Sequence, residues 1–199
     1  MITVTVNALP TVTATANPTT ICEDEFTTLT GGGASTYTWD NGATNSVPIS
    51  PTTTTAYTVT GTDGNGCINI DMITVTVNAL PTVTATANPT TICEDEFTTL
   101  TGGGASTYTW DNGATNSVPI SPTTTTAYTV TGTDGNGCIN TDMITVTVNA
   151  LPVVTATANP ATICENEFTT LTGGGASTYT WDNGATNSIP ISPTTTTTY

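Results

Sequence analysis

Apolar and polar residues alternate one by one along much of this chain, as in Val12-Thr13-Ala14-Thr15-Ala16, Tyr57-Thr58-Val59-Thr60 and Ile73-Thr74-Val75-Thr76-Val77. A period of two sends successive side chains to opposite faces of an extended backbone, so these segments read as half-buried strands. Turn-forming clusters separate them: Asn17-Pro18, Gly31-Gly32-Gly33, Asp40-Asn41-Gly42, Ser50-Pro51 and Asp63-Gly64-Asn65-Gly66. No stretch carries the period of a helix. The pattern predicts strands over 11–16, 26–30, 36–39, 46–49, 55–61 and 68–77, the last interrupted near Asp71.

The pattern then repeats. MITVTVNALP begins at Met1, Met72 and Met143, a period of 71 residues, and the first two copies differ only where Ile70 becomes Thr141. Several short strands per copy, with a tryptophan in the third (Tyr37-Thr38-Trp39), predict an all-β chain of tandem immunoglobulin-like β-sandwich repeats. The expected organisation is residues 1–9 as the last strand of a preceding unit, complete repeats over 10–80 and 81–151, and a truncated repeat over 152–199. The connection Asn78-Ala79-Leu80-Pro81 is short and stiffened by proline, so the copies are expected to form a rod. Residues 1–199 read as a window on a longer array, continued covalently or, in the alternative, by strand donation between chains.

Each copy carries two cysteines 45 residues apart, Cys22 with Cys67 and Cys93 with Cys138, and Cys164 stands alone. The expected disulfides are Cys22–Cys67 and Cys93–Cys138, with free thiols or a Cys67–Cys93 link across the connection as the alternatives. Such bonds imply a secreted, extracellular setting.

The residues also resemble a family. Thr20-Ile21-Cys22-Glu23, Thr28-Leu29-Thr30 with its glycine run, Tyr37-Thr38-Trp39, Ser50-Pro51, Thr54 to Val59, Thr62-Asp63 and Asn65-Gly66-Cys67, closed by a Thr-Val-Thr-Val strand, are similar to the Ig-like (PKD-like) tandem repeats of giant, adhesin-like surface proteins secreted by Bacteroidetes-type bacteria. The resemblance covers every copy. It implies a spacer in an exported protein, and this sequence departs from it in the near-identity of its copies and in its charge.

That charge narrows the functions available. The chain has 15 acidic residues and no Lys, Arg or His. With no cation to neutralise phosphates, nucleic acid is not an expected partner, and no run approaches the roughly 18 apolar residues of a membrane-spanning helix. Without His or Lys there is no catalytic triad, no Schiff base and no imidazole ligand, so no enzyme is expected. Expected partners are further copies of the repeat, self-assembled into a fibre.

Three constellations remain. Glu23, Asp24 and Glu25 follow Cys22 while Asp63 and Asn65 precede Cys67, so a Cys22–Cys67 bond would gather oxygens suited to calcium; the plain alternative is a tight turn with solvated acids. Tyr37 and Trp39 would form either a glycan-stacking platform or part of the core. Threonine accounts for 20 of the residues from Met1 to Asp71, and Thr52, Thr53, Thr54 and Thr55 are candidate sites for covalent O-linked glycans, against simple β-propensity. The alternating Thr-Val strands lack the lysines that usually guard sheet edges, which leaves them open to pairing.

Overall fold

The computed structural model describes residues Met1–Tyr199. The chain is all-β, with two similar units of curled sheets repeated about every 70 residues. In the first unit the strands are β1 (Thr13–Asn17), β2 (Thr20–Cys22), β3 (Thr27–Gly32), β4 (Thr36–Trp39), β5 (Pro48–Ile49), β6 (Thr55–Thr62) and β7 (Ile68–Asn78). They form a three-stranded antiparallel sheet, β1-β3-β5, and a four-stranded mixed sheet, β2-β7-β6-β4, in which only β2 and β7 run parallel.

The alternation of the sequence becomes the alternation of burial. Along β6, Tyr57, Val59 and Gly61 are buried while Thr58 and Thr60 are half-buried, and along β7 Val75 is completely buried between exposed threonines. The core unites both sheets: Val12 and Leu29 from one side meet Ile21, Trp39, Tyr57, Val59 and Val75 from the other. Burying a side chain such as Leu29 contributes about 1.5–3 kcal/mol. Glycine is required where Val12 crosses β6, because a Cβ on Gly61 would lie 2.6 Å from the Val12 side chain.

The second unit repeats this layout with β8 (Thr84–Asn88), β9 (Thr91–Cys93), β10 (Thr98–Gly103), β11 (Thr107–Trp110), β12 (Pro119–Ile120), β13 (Thr126–Thr133) and β14 (Ile139–Asn149). Its core is Val83, Ile92, Leu100, Trp110, Tyr128, Val130 and Val146. The third copy forms only the first sheet, from β15 (Thr155–Asn159), β16 (Thr169–Gly174) and β17 (Pro190–Ile191). One turn of 3-10 helix, Asp182–Gly184, follows Trp181, and no helix is long and apolar enough to cross a membrane.

One strand was not expected, and two expectations are corrected. β2 carries no alternation of its own and forms because Thr20–Cys22 pairs in parallel with the end of β7, a contact 56 residues away in sequence. β7 is not interrupted at Asp71; the carboxylate turns aside and accepts a hydrogen bond from the Ala14 N–H at 2.7 Å, tying β7 to the free edge of β1. The long Thr-Val strand is also not a bare edge, since β7 lies between β2 and β6, and the edge strands are short.

Leu100→Ala, at a position with no exposure, should destabilise its unit by roughly 2–5 kcal/mol in chemical denaturation. Val47→Ala, at a side chain 47% exposed, should stay within about 1 kcal/mol of the parent.

Candidate functional site at the junction between repeats

β7 determines what meets what. Cys67 sits immediately before its first residue and Cys22 pairs with Asn78 at its last, so the two cysteines of one repeat lie at opposite poles. Eleven strand residues span roughly 33 Å, far beyond the 7 Å or so across which a disulfide can bridge two Cα atoms. The expected Cys22–Cys67 and Cys93–Cys138 bonds are therefore corrected: Cys22 is bonded to Cys138 of the following repeat, with their Cα atoms 5.6 Å apart. Cys67, Cys93 and Cys164 are free. The Cys67–Cys93 alternative does not form either.

The bond is built from two turns that the units present to each other. After β2, the chain turns at Glu23-Asp24-Glu25: the Glu25 carboxylate accepts the Cys22 N–H at 2.8 Å, the Glu23 N–H donates to the Asn78 carbonyl, and Asp24 takes a positive φ of 69°. In the facing unit, Asp134 Oδ1 accepts from the Asn136 and Cys138 N–H groups, each at 2.8 Å, and closes the hairpin between β13 and β14. Cys138 is 1% exposed, whereas Cys67, its counterpart at the pole of the first unit that faces no other unit, is only half-buried. Leu80 in the connection is half-buried, while its counterpart Leu9 is 64% exposed. Pro81 is held at the entry to the second unit by a hydrogen bond from Asn140 Nδ2 to its carbonyl, 3.0 Å long.

The same polarity separates the candidate calcium ligands. Glu23, Asp24 and Glu25 lie beyond the last residue of β7 and Asp63 and Asn65 before its first, so one repeat does not gather them, and no group of three or more acidic or cysteine side chains with metal-holding geometry forms. Asp63 instead closes its own hairpin. Its carboxylate accepts the N–H groups of Cys67 and Asn65, and the Cys67 bond foremost holds its pKa below the ordinary aspartate value. Asp142 is likewise lowered, first by the Ala85 N–H.

Trp39 is 8% exposed, with its indole N–H donated to Asn45 Oδ1 at 3.0 Å, and Tyr37 spends its hydroxyl on the backbone of Ala34. The buried Trp39 offers no open ring face for a sugar to stack on, and Tyr37 is half-buried. Of the candidate glycan acceptors, Thr54 exchanges hydrogen bonds with the Val77 backbone and Thr55 donates to the Thr53 carbonyl, while Thr52 and Thr53 are exposed. The Cys22–Cys138 pairing was not legible in the sequence: Cys22 ends β2 and Cys67 precedes β7, and only the parallel pairing of those two strands sets the cysteines at opposite poles. No family model and no curated protein matches this chain.

Two measurements check this geometry. Digestion with an Asp- and Glu-directed protease without reductant should yield a Cys22–Cys138 peptide, and a dominant Cys22–Cys67 peptide would contradict the junction. For pH, the folded-state values of Asp63 and Asp142 are depressed, so their stabilisation is complete above the unfolded value near 4 and is lost as pH falls through the lowered values. The Tm should therefore fall below about pH 4, and Asp63→Asn with Asp142→Asn, which keep an acceptor but do not titrate, should flatten that fall.

Proposed function

We propose that this chain is a structural repeat segment of a secreted surface stalk or extracellular filament, made of tandem immunoglobulin-like sandwiches and carrying no catalytic activity. The observation that carries this reading is the Cys22–Cys138 bond, which adds a second covalent connection to the Asn78–Pro81 segment between adjacent units. Two links at separate points suppress the swivelling that a single connection permits, and rigidity along an axis is what a spacer needs. The near-identity of the repeats supports it, since identical units make identical junctions. So does the resemblance to the secreted Bacteroidetes-type repeats.

A disulfide between units is consistent with an oxidising, extracellular location. O-linked glycans on Thr52 and Thr53 would supply hydration on a surface without lysine. The alternative, an adhesive module recognising glycans or calcium, finds no support in the buried Trp39 or in the acidic turns, which form no group of three metal-holding side chains.

Small-angle scattering and electron microscopy with and without reductant test the proposal. The oxidised chain should be an elongated particle with one preferred angle between its first two units, and Cys22→Ser with Cys138→Ser should broaden that angle while leaving each unit folded. A compact particle, or one whose angle is as broad when oxidised as when reduced, would overturn the stalk reading.

A further inference from the structure

Both complete units carry an apolar stripe on the outer face of the four-stranded sheet that no element of the chain covers. Along β7 the odd-numbered Ile73, Val75 and Val77 pack into the core, so the even-numbered residues face outward, and Ile68, Ile70 and Met72 are 56%, 61% and 61% exposed. They stand at intervals of about 7 Å on one face. In the second unit Ile139 and Met143 are 55% and 61% exposed, with Thr141 between them. The neighbouring strand sets hydroxyls beside the stripe: Thr62, Thr60 and Thr58 pair with Ile68, Ile70 and Met72. Single apolar side chains scattered over a surface are ordinary, but three in a row on one strand make a patch.

The positions of the acids limit what can cover it. Each complete unit has six. In the first, Glu23, Asp24, Glu25, Asp40 and Asp63 lie outside the strands, and Asp71 turns to the Ala14 N–H on the opposite sheet. Asp40, just beyond β4, spends one oxygen on the Thr58 N–H at 2.9 Å. A partner rich in lysine or arginine would be drawn to these turns and away from the stripe. The stripe instead fits a surface that is apolar, hydroxylated and uncharged, and the same face of another copy is such a surface. The outer face of the three-stranded sheet is uncharged too, but it presents Thr13, Thr15 and Thr30 where the stripe has Ile and Met.

We propose that two copies of this chain pair side by side through the outer faces of their four-stranded sheets, with Ile70 at the centre of the contact. This rests on the stalk reading and names the surface by which stalks bundle into a fibre. A self-complementary face suits a two-fold contact, in which each copy gives and receives the same side chains. The Cys22–Cys138 bond supports it by holding the stripes of adjacent units at a fixed spacing, so a second contact follows the first at high effective concentration. The one difference between the first two copies, Ile70 against Thr141, falls in the middle of the stripe and makes the first unit's contact the stronger.

The test uses the whole oxidised chain with Cys67, Cys93 and Cys164 alkylated, so that no new disulfide joins two molecules. Sedimentation over a concentration series should show reversible association above the 20.2 kDa monomer. Association should strengthen as salt rises, because screening removes the repulsion between two chains of net charge −15 and leaves the apolar contact. Ile70→Thr, which copies residue 141, should keep the near-UV circular dichroism and raise the dissociation constant roughly tenfold. Ile70→Asp with Thr141→Asp should abolish association, while Thr30→Asp with Thr101→Asp, the same added charge on the other sheet, should leave most of it. Peroxide should oxidise Met72 and Met143 more slowly in the associated protein than in the monomer. A chain that stays monomeric in high salt, association that salt weakens, or equal losses in the two double variants would each overturn the pairing. A monomer that binds a different protein through this face overturns it as well and gives the stripe to that partner. An elongated monomer overturns the pairing alone, and a compact one overturns the stalk reading too.

Discussion

Parallel pairing of β2 with the far end of β7 is the constraint on which the junction depends. In a unit whose other strand pairs are antiparallel, this one forces the chain to cross the length of the sandwich between Cys22 and Cys67. Each unit therefore has two chemically distinct poles: one with the acidic turn and the first cysteine, the other with the Asp-Gly-Asn-Gly hairpin and the second. Because the connection leaves from the first pole and enters at the second, unlike poles meet. A thiol from each side is brought within bonding distance by topology alone, with no contribution from ion pairing in a chain that has no cationic side chains.

The strands were legible in the sequence to the extent that their burial is local. β4, β6 and most of β3 follow from alternation and from the glycine and proline turns that bound them, and Trp39 in the core follows from its place on the third predicted strand. β2 was not legible, because three residues have no period and its partner is remote. Asp71 reads as a strand breaker because a carboxylate at a semi-buried strand position is costly unless a donor meets it, and the donor, the Ala14 N–H, lies on the opposite sheet. The cysteine pairing was hidden for a related reason. Equal spacing in successive copies is the same for bonds within repeats and for bonds between them, so only the direction of β2 relative to β7 distinguishes the two.

The acidic residues that suggest a metal site instead organise backbone. Glu25 and Asp63 satisfy N–H groups in the turns beside Cys22 and Cys67, and Asp71 and Asp142 occupy the outer N–H groups of β1 and β8. The last pair also bears on solubility: a charged side chain over the edge of a five-residue strand blocks the approach of another strand there. Negative charge thus takes a role that lysine often takes in other β proteins.

The disulfide also changes how the molecule transmits force. In an unstapled tandem array, tension passes through every residue of each unit in turn, and an unfolding unit releases its whole contour. Here a pull along the chain reaches Cys22, crosses the sulfur bridge and continues from Cys138, leaving everything between these two residues, 116 positions apart in sequence, as slack outside the loaded path. That span includes the strands from β3 to β13, the greater part of both cores. Tension on the chain would load only the residues outside the bridge, so the two bonded units respond as one link rather than as two springs in series.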